Sequence, residues 1–129
     1  MLDHNHRFHG LNSLTFAYRR GQTVRGSQLA LKYVLNTRRQ EFRAAVVVSR
    51  KVDKSAVVRN RIRRRIYEVL GKHRAGITQP YDLVFTVFNA ALAELPMTEV
   101  EHLVVAQLHK AHVLTPKNNG RRAIVKPEE

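Results

Sequence analysis

The run from Ser49 to Leu70 holds the residues best suited to chemistry in this chain: eight of its 22 positions are Arg or Lys, against the acids Asp53 and Glu68. Arg50, Lys51 and Lys54 lead into Arg59, Asn60, Arg61, Arg63, Arg64 and Arg65. In the second half of the run the basic residues are all arginine. A guanidinium is a planar fork of donors that grips phosphate through two bonds and stacks on bases, which an ammonium does not do. The pattern therefore points to structured phosphate rather than to diffuse charge. A merely solvated charged face is a poor account of it, because only Glu68 balances the arginines and like charges at i, i+4 destabilise a helix.

The rest of the composition agrees. The 129 residues carry 23 Lys and Arg against 10 Asp and Glu, a net charge of +13 with neutral histidines. Self-repulsion on that scale does not stabilise a small domain, so the charge serves a partner. A polyanion fits best, since neutralising phosphates releases condensed counterions. A membrane surface or an acidic protein fits less well. The absence of cysteine removes disulfides, thiolate zinc sites and cysteine nucleophiles, and suits a reducing cytosol. His4, His6 and His9 have a spacing that could chelate an ion, but a flexible polar terminus is the preferred reading, and His73, His102, His109 and His112 have no acidic or thiol partner at a ligand spacing. Carboxylates are too scattered to form an acid–base pair, which argues against a self-sufficient protein nuclease. No stretch has the roughly 18 apolar residues of a membrane span, and Met1–His6 lacks the apolar core of a signal peptide, so a soluble, cytoplasmic protein is expected.

The elements that position the basic run can be read from periodicity. Val58, Ile62, Ile66, Val69 and Leu70 fall within about a third of a helical circumference. Ser55 is placed to cap that helix and Gly71 to end it. On its wheel Asn60, Arg64 and Tyr67 face away from the apolar stripe, with Arg59, Arg61, Arg63 and Arg65 on the flanks. Before it, Leu11, Leu14 and Tyr18 mark a short helix ending at Gly21. Leu29–Leu35 and Phe42–Ser49 read as two antiparallel strands joined by a hairpin-sized loop, Asn36–Glu41. Tyr81–Phe88 alternates as a third strand, with Leu83, Phe85 and Val87 on one face. Aromatics in strands are more often core than base platforms, and Tyr33, Phe42, Phe85 and Phe88 are read as core. Thr98–Glu101 is a capping box for a last helix with Val100, Leu103, Val104, Leu108 and Ala111 on its stripe. The order is α-β-β-α-β-α, an α+β fold in a single domain with a small sheet packed against helices. Residues 7–114 form the domain, with a flexible N-terminus, 1–6, and a flexible basic tail, 115–129.

Val46-Val-Val-Ser-Arg-Lys-Val52 followed by Ala56-Val-Val-Arg-Asn-Arg-Ile-Arg-Arg64 resembles the signature of the bacterial ribonuclease P protein subunit, an Arg-Asn-Arg helix after a strand ending in Ser-Lys-Lys. Arg7-Phe8, Tyr18, Gly21 and Tyr81-Asp-Leu-Val84 extend the resemblance over residues 7–114. It implies a non-catalytic partner of a catalytic RNA that removes the 5′ leader of precursor tRNA, with Mg2+ bound mainly by the RNA. It implies that Arg59, Asn60, Arg61, Arg63 and Arg64 form the RNA-binding helix and that Arg50 and Lys51 belong to the strand end before it. Lys54 joins them because the first helical turn and the residues before it converge on the same side. The resemblance further implies a sheet cleft for the leader. Leu14, Tyr18 and Lys32 fall where the family usually has three aromatics, and only Tyr18 is aromatic. A left-handed β-α-β crossover, against the usual hand, and a monomer within the complex are also implied. The alternative is a ribosomal or general RNA-binding protein without catalytic assembly.

Overall fold

The computed structural model describes residues 11–114, with side chains from Phe16 onward. In chain order the elements are α1 (Leu11–Arg20), β1 (Gln22–Val24), β2 (Leu29–Leu35), β3 (Arg43–Val47), α2 (Ala56–Lys72), β4 (Tyr81–Val87) and α3 (Met97–Lys110). Short 3-10 turns at Arg74–Gly76 and Ala90–Ala93 flank β4. The expected flexible ends, 1–6 and 115–129, and the histidines His4, His6 and His9 lie outside the described residues.

The strands form one sheet in the order β1-β2-β4-β3. The α+β class is as expected, but two features of the strand order are corrected. One strand, β1, was not anticipated: three residues, two of them exposed, are too short for alternation to show. The hairpin of Leu29–Leu35 with Phe42–Ser49 does not form. Instead β4 lies between them, antiparallel to β2 and parallel to β3. Alternation marks a strand without naming its neighbour, and the connection from β3 through α2 to β4 is long enough to carry the chain back for a parallel pairing.

Pairing in β2 and β4 sets the two faces. Leu29, Leu31 and Tyr33 lie opposite Val87, Phe85 and Leu83. Together with Ala44 and Val46 of β3 they meet Ile62, Ile66, Val69 and Leu70 of α2 and Val100, Val104 and Leu108 of α3 in the main core. The opposite face carries Ala30, Lys32 and Val84. Ala17 of α1 is completely buried, as is Val84, and both lie outside the main cluster. Thus α1 covers one face of the sheet while α2 and α3 cover the other. Gly21 allows the first of these contacts: a Cβ there would come within 2.5 Å of the Ala17 carbonyl oxygen and 2.8 Å of Lys32 Cγ.

On the α1 side, Asp82 is fully buried and is held by Arg43 in a two-pronged pair, Nε to Oδ1 at 3.1 Å and a terminal nitrogen to Oδ2 at 3.0 Å. Asn36 donates to the same carboxylate at 2.9 Å. Burial without these bonds would be costly, and with them the charge is compensated.

Helix ends depart from expectation in two places. α2 runs one residue past Gly71 and is capped by His73, whose amide reaches the Val69 and Gly71 carbonyls. The stripe around Val69 and Leu70 remains in contact with the core, and tertiary packing outweighs a single glycine's propensity. α3 starts at Met97 after Pro96, so the Thr98 capping box is not used as a cap. Pro96 stands at the N-cap with φ −57° and a non-helical ψ of 147°, and no side chain caps the first turn. Among the described residues no helix is long and apolar enough to cross a membrane.

Candidate nucleic-acid interface

The turn between β3 and α2 is fixed by its own polar groups. The Val52 amide donates to the Ser49 carbonyl at 3.0 Å, and the Ser55 amide donates to Asp53 Oδ1 at 2.8 Å. Ser55 then caps α2 by accepting from the Val58 amide at 3.3 Å. Asp53, which could be mistaken for a charge partner of the lysines, is thus a turn-forming residue. Arg59 folds back over the same turn, donating to the carbonyls of Asp53 and Lys54 at 3.0 and 2.9 Å. Arg50, Lys51 and Lys54 are left exposed on this tied loop, next to the positive end of α2.

Along α2 the arginines divide by flank. Arg63 turns toward the end of β3, with one nitrogen 2.6 Å from Asn60 Oδ1 and another 3.4 Å from the Val48 carbonyl. Arg65 points to the other side and ties down the 3-10 turn, donating to Leu92 O at 2.6 Å and to Leu95 O. Arg61 makes a 3.5 Å pair with Glu94 that is open to solvent on both sides. Pairs of this kind contribute roughly 0–1 kcal/mol, so they yield readily to a phosphate. The side chains of Arg50, Lys51, Lys54 and Arg64 have no hydrogen-bond or ion-pair partner among the described residues. All four are exposed.

One member of the outward face is misplaced by the helical wheel. Tyr67 is partly buried, and its hydroxyl accepts from the Val46 amide at 3.3 Å. β3 is an edge strand, its outer N–H groups lack a strand partner, and Tyr67 covers one of them. A wheel drawn for α2 alone cannot show that a sheet edge lies beside it.

The second predicted site is the angle between α1 and the sheet. Lys32 points to the α1 side, out of phase with the buried Leu31, and its Nζ is 3.5 Å from the Tyr18 carbonyl oxygen. The Tyr18 ring is exposed, as is that of Phe16. Tyr18 and Lys32 are therefore brought together, whereas the side chain of Leu14 lies outside the described residues. Phe88, expected in the core, is 47% exposed. The signal was present in the sequence: Leu83, Phe85 and Val87 share the core face, so the next residue faces the other way. Tyr33 meets the core as expected, edge-on to Tyr81, and Phe42 and Phe85 are buried.

At the far end of α2, Glu101 of α3 accepts from Lys72 at 3.2 Å and lies 2.7 Å from His73 Nε2. Hydrogen bonds from His73 first, then from Lys72, hold its carboxyl below the ordinary value of 4.5. This cluster pins α3 to α2 and does not belong to the basic surface.

The Ribonuclease P family model matches residues 2–112. The ribonuclease P protein component of Chloroflexus aurantiacus is 35% identical over 99 residues, covering 77% of this chain and 72% of that protein. The corresponding protein of a Roseiflexus species is 34% identical over 103 residues, covering 80% and 83%. Among solved structures, the RNase P protein of Staphylococcus aureus superposes with a TM-score of 0.76 at 23% identity, covering 84% of this chain and 97% of that one. That of Thermotoga maritima gives 0.72 at 17% identity, covering 81% and 96%. At those identities the structures establish a shared fold. The family match over most of the chain, supported by relatives above 30% identity, shows that this chain belongs to the ribonuclease P protein component family, subunits of a ribonucleoprotein whose general role is in processing the 5′ end of tRNA.

Proposed function

We propose that this chain binds the ribonuclease P RNA through Arg50, Lys51, Lys54, Arg61 and Arg64, with Arg59, Asn60 and Arg63 shaping that surface and adding contacts at its edge. The observation that carries the reading is the set of exposed cations on one turn and helix, four of them with unpartnered side chains and Arg61 held only by its solvent-open pair with Glu94. Each phosphate they neutralise adds roughly 0.7–0.9 to the log–log salt dependence. The angle between α1 and the sheet, with Tyr18 and Lys32, holds the single-stranded leader of precursor tRNA. With one aromatic among the three expected positions, stacking of about 1–3 kcal/mol is available to one base, so leader sequence is discriminated poorly.

Hydrolysis belongs to the RNA. Mg2+ is assigned to the RNA on the family reading, and no step is routed through a protein-held ion. The protein acts as a cytoplasmic monomer within the complex, positioning RNA and leader. The test combines purified protein, ribonuclease P RNA and precursor tRNA at modest magnesium. Release of the leader only when the RNA is present is expected, and cleavage at a fixed site by RNA-free protein would overturn the assignment. Comparing Tyr18→Ala and Lys32→Ala for precursor against mature tRNA tests the cleft: selective loss for the precursor is expected, and equal loss for both would move the leader elsewhere.

A further inference from the structure

Arg61, Arg64, Arg65 and Glu68 occupy positions i, i+3, i+4 and i+7 of α2 and so line one stripe of the helix. Opposite them stand Ala93, from the 3-10 turn, and Met97, the first residue of α3. Together these six side chains enclose an open groove of about 640 Å³, a size typical of small-molecule sites. Its walls differ in rigidity. Arg65 is fixed by the Leu92 and Leu95 carbonyls, which locks the Ala93 wall to the helix. Arg64 is free, and Arg61 is held only by its exposed pair with Glu94. Met97 is 38% exposed on the far wall.

The carboxylate makes this groove more than another stretch of basic surface. Glu68 is exposed and has no hydrogen-bond or ion-pair partner among the described residues. Toward a bare phosphate trough it is repulsive. It becomes favourable only if the occupant brings N–H donors as well as negative charge, because an ionised carboxylate accepts and does not donate. A nucleotide supplies both, together with a flat apolar face for the thioether of Met97. Carboxylates accept from the exocyclic amine of a base in this manner.

Resting on the RNA-binding reading above, we infer that the groove between α2 and the start of α3 receives one unstacked nucleotide of the bound RNA. Its phosphate lies on Arg61 and Arg64, its amino-bearing base edge on Glu68, and its base face on Met97. RNA recognised by sequence is typically read at such splayed-out, unpaired positions. The groove therefore adds a base-reading element to a helix that otherwise grips backbone.

The test turns on the sign of one substitution. On charge alone, Glu68→Ala raises the net charge and tightens RNA binding. A base-reading Glu68 predicts the opposite, a loss of about 5- to 10-fold, as for one solvent-accessible hydrogen bond of ordinary strength. Glu68→Gln, which keeps an acceptor, should retain more affinity than Glu68→Ala. Met97→Ala should weaken binding about 3- to 10-fold without changing the salt slope, since no phosphate contact is lost. Titrations use the whole protein and the ribonuclease P RNA, with thermal melts confirming that each variant is folded. Base-edge chemical probing of the same RNA should show one unpaired A, C or G protected by wild-type protein and exposed with Glu68→Ala. Equal or tighter binding by Glu68→Ala, or protection unchanged by it, overturns the inference. Failure of the wild-type protein to bind the RNA would instead overturn the underlying function.

Discussion

Arg65 and Arg64 are neighbours on one helix and do opposite work. Arg65 is spent inside the protein on two carbonyls of the segment leading into α3. Arg64 meets solvent without a partner. The same division separates Arg43, sealed against the buried Asp82, from Arg61, loosely paired with Glu94 at the surface. Residue type is alike in each pair. What differs is whether the neighbouring element presents acceptors that must be satisfied. A basic surface is thus partly scaffold and partly binding face, and counting arginines overstates the binding part.

The contrast is sharpest when the inward members are broken. Asp82→Asn leaves Arg43 without its counter-charge at a buried site and should cost about 3–5 kcal/mol of stability in urea denaturation; a cost under about 1 kcal/mol would show that the pair is not a structural anchor. Arg65→Ala leaves two carbonyls without their donor and should cost about 2–3 kcal/mol. Arg64→Ala should leave stability within about 0.5 kcal/mol yet weaken RNA binding about 5- to 10-fold and flatten the salt slope by roughly 0.7–0.9. Equal stability losses for Arg64→Ala and Arg65→Ala would erase the distinction. Arg59→Ala should fall between, with a stability loss of about 1 kcal/mol from the loosened turn and a measurable loss of affinity.

Smallest is the acid response of the Glu101 cluster. Its carboxyl is held below 4.5 in the folded chain by His73 and Lys72. The resulting stabilisation is present above pH 4.5 and is lost as pH falls through the lowered folded value. Glu101→Gln should therefore reduce stability near neutral pH slightly and make stability less sensitive to acid below pH 4.5. An unchanged acid limb of the stability profile would show that the cluster contributes nothing.

How much of this was legible in the residues depends on the range of the signal. The stripe from Val58 to Leu70, the Ser55 cap and the alternation over Tyr81–Val87 are local patterns, and each produced its element. The outward position of Phe88 was legible too, had the alternation been followed one step past β4. Nothing local shows that β4 separates β2 from β3, because strand neighbours are chosen by the whole sheet. The inward bonds of Arg59 and Arg65, and the seating of Tyr67 on a strand edge, depend on what packs beside α2. The groove joins Arg61–Glu68 to Ala93 and Met97, some 25–36 positions further on, beyond the reach of a wheel.

The interleaved strand order has a consequence for how the chain comes off the ribosome. β2 and β3 emerge well before β4, the strand that must lie between them. Until residue 87 has been made, β2 has only β1 beside it, and its other edge and β3 can mate only with each other or with a foreign edge, pairings that have to be undone. Domains with such non-local pairings fold slowly and expose unpaired edges meanwhile. In the growing chain α2, with its load of like charges, is completed during that interval. Like-charge repulsion between copies of that helix opposes association while the sheet edges are open.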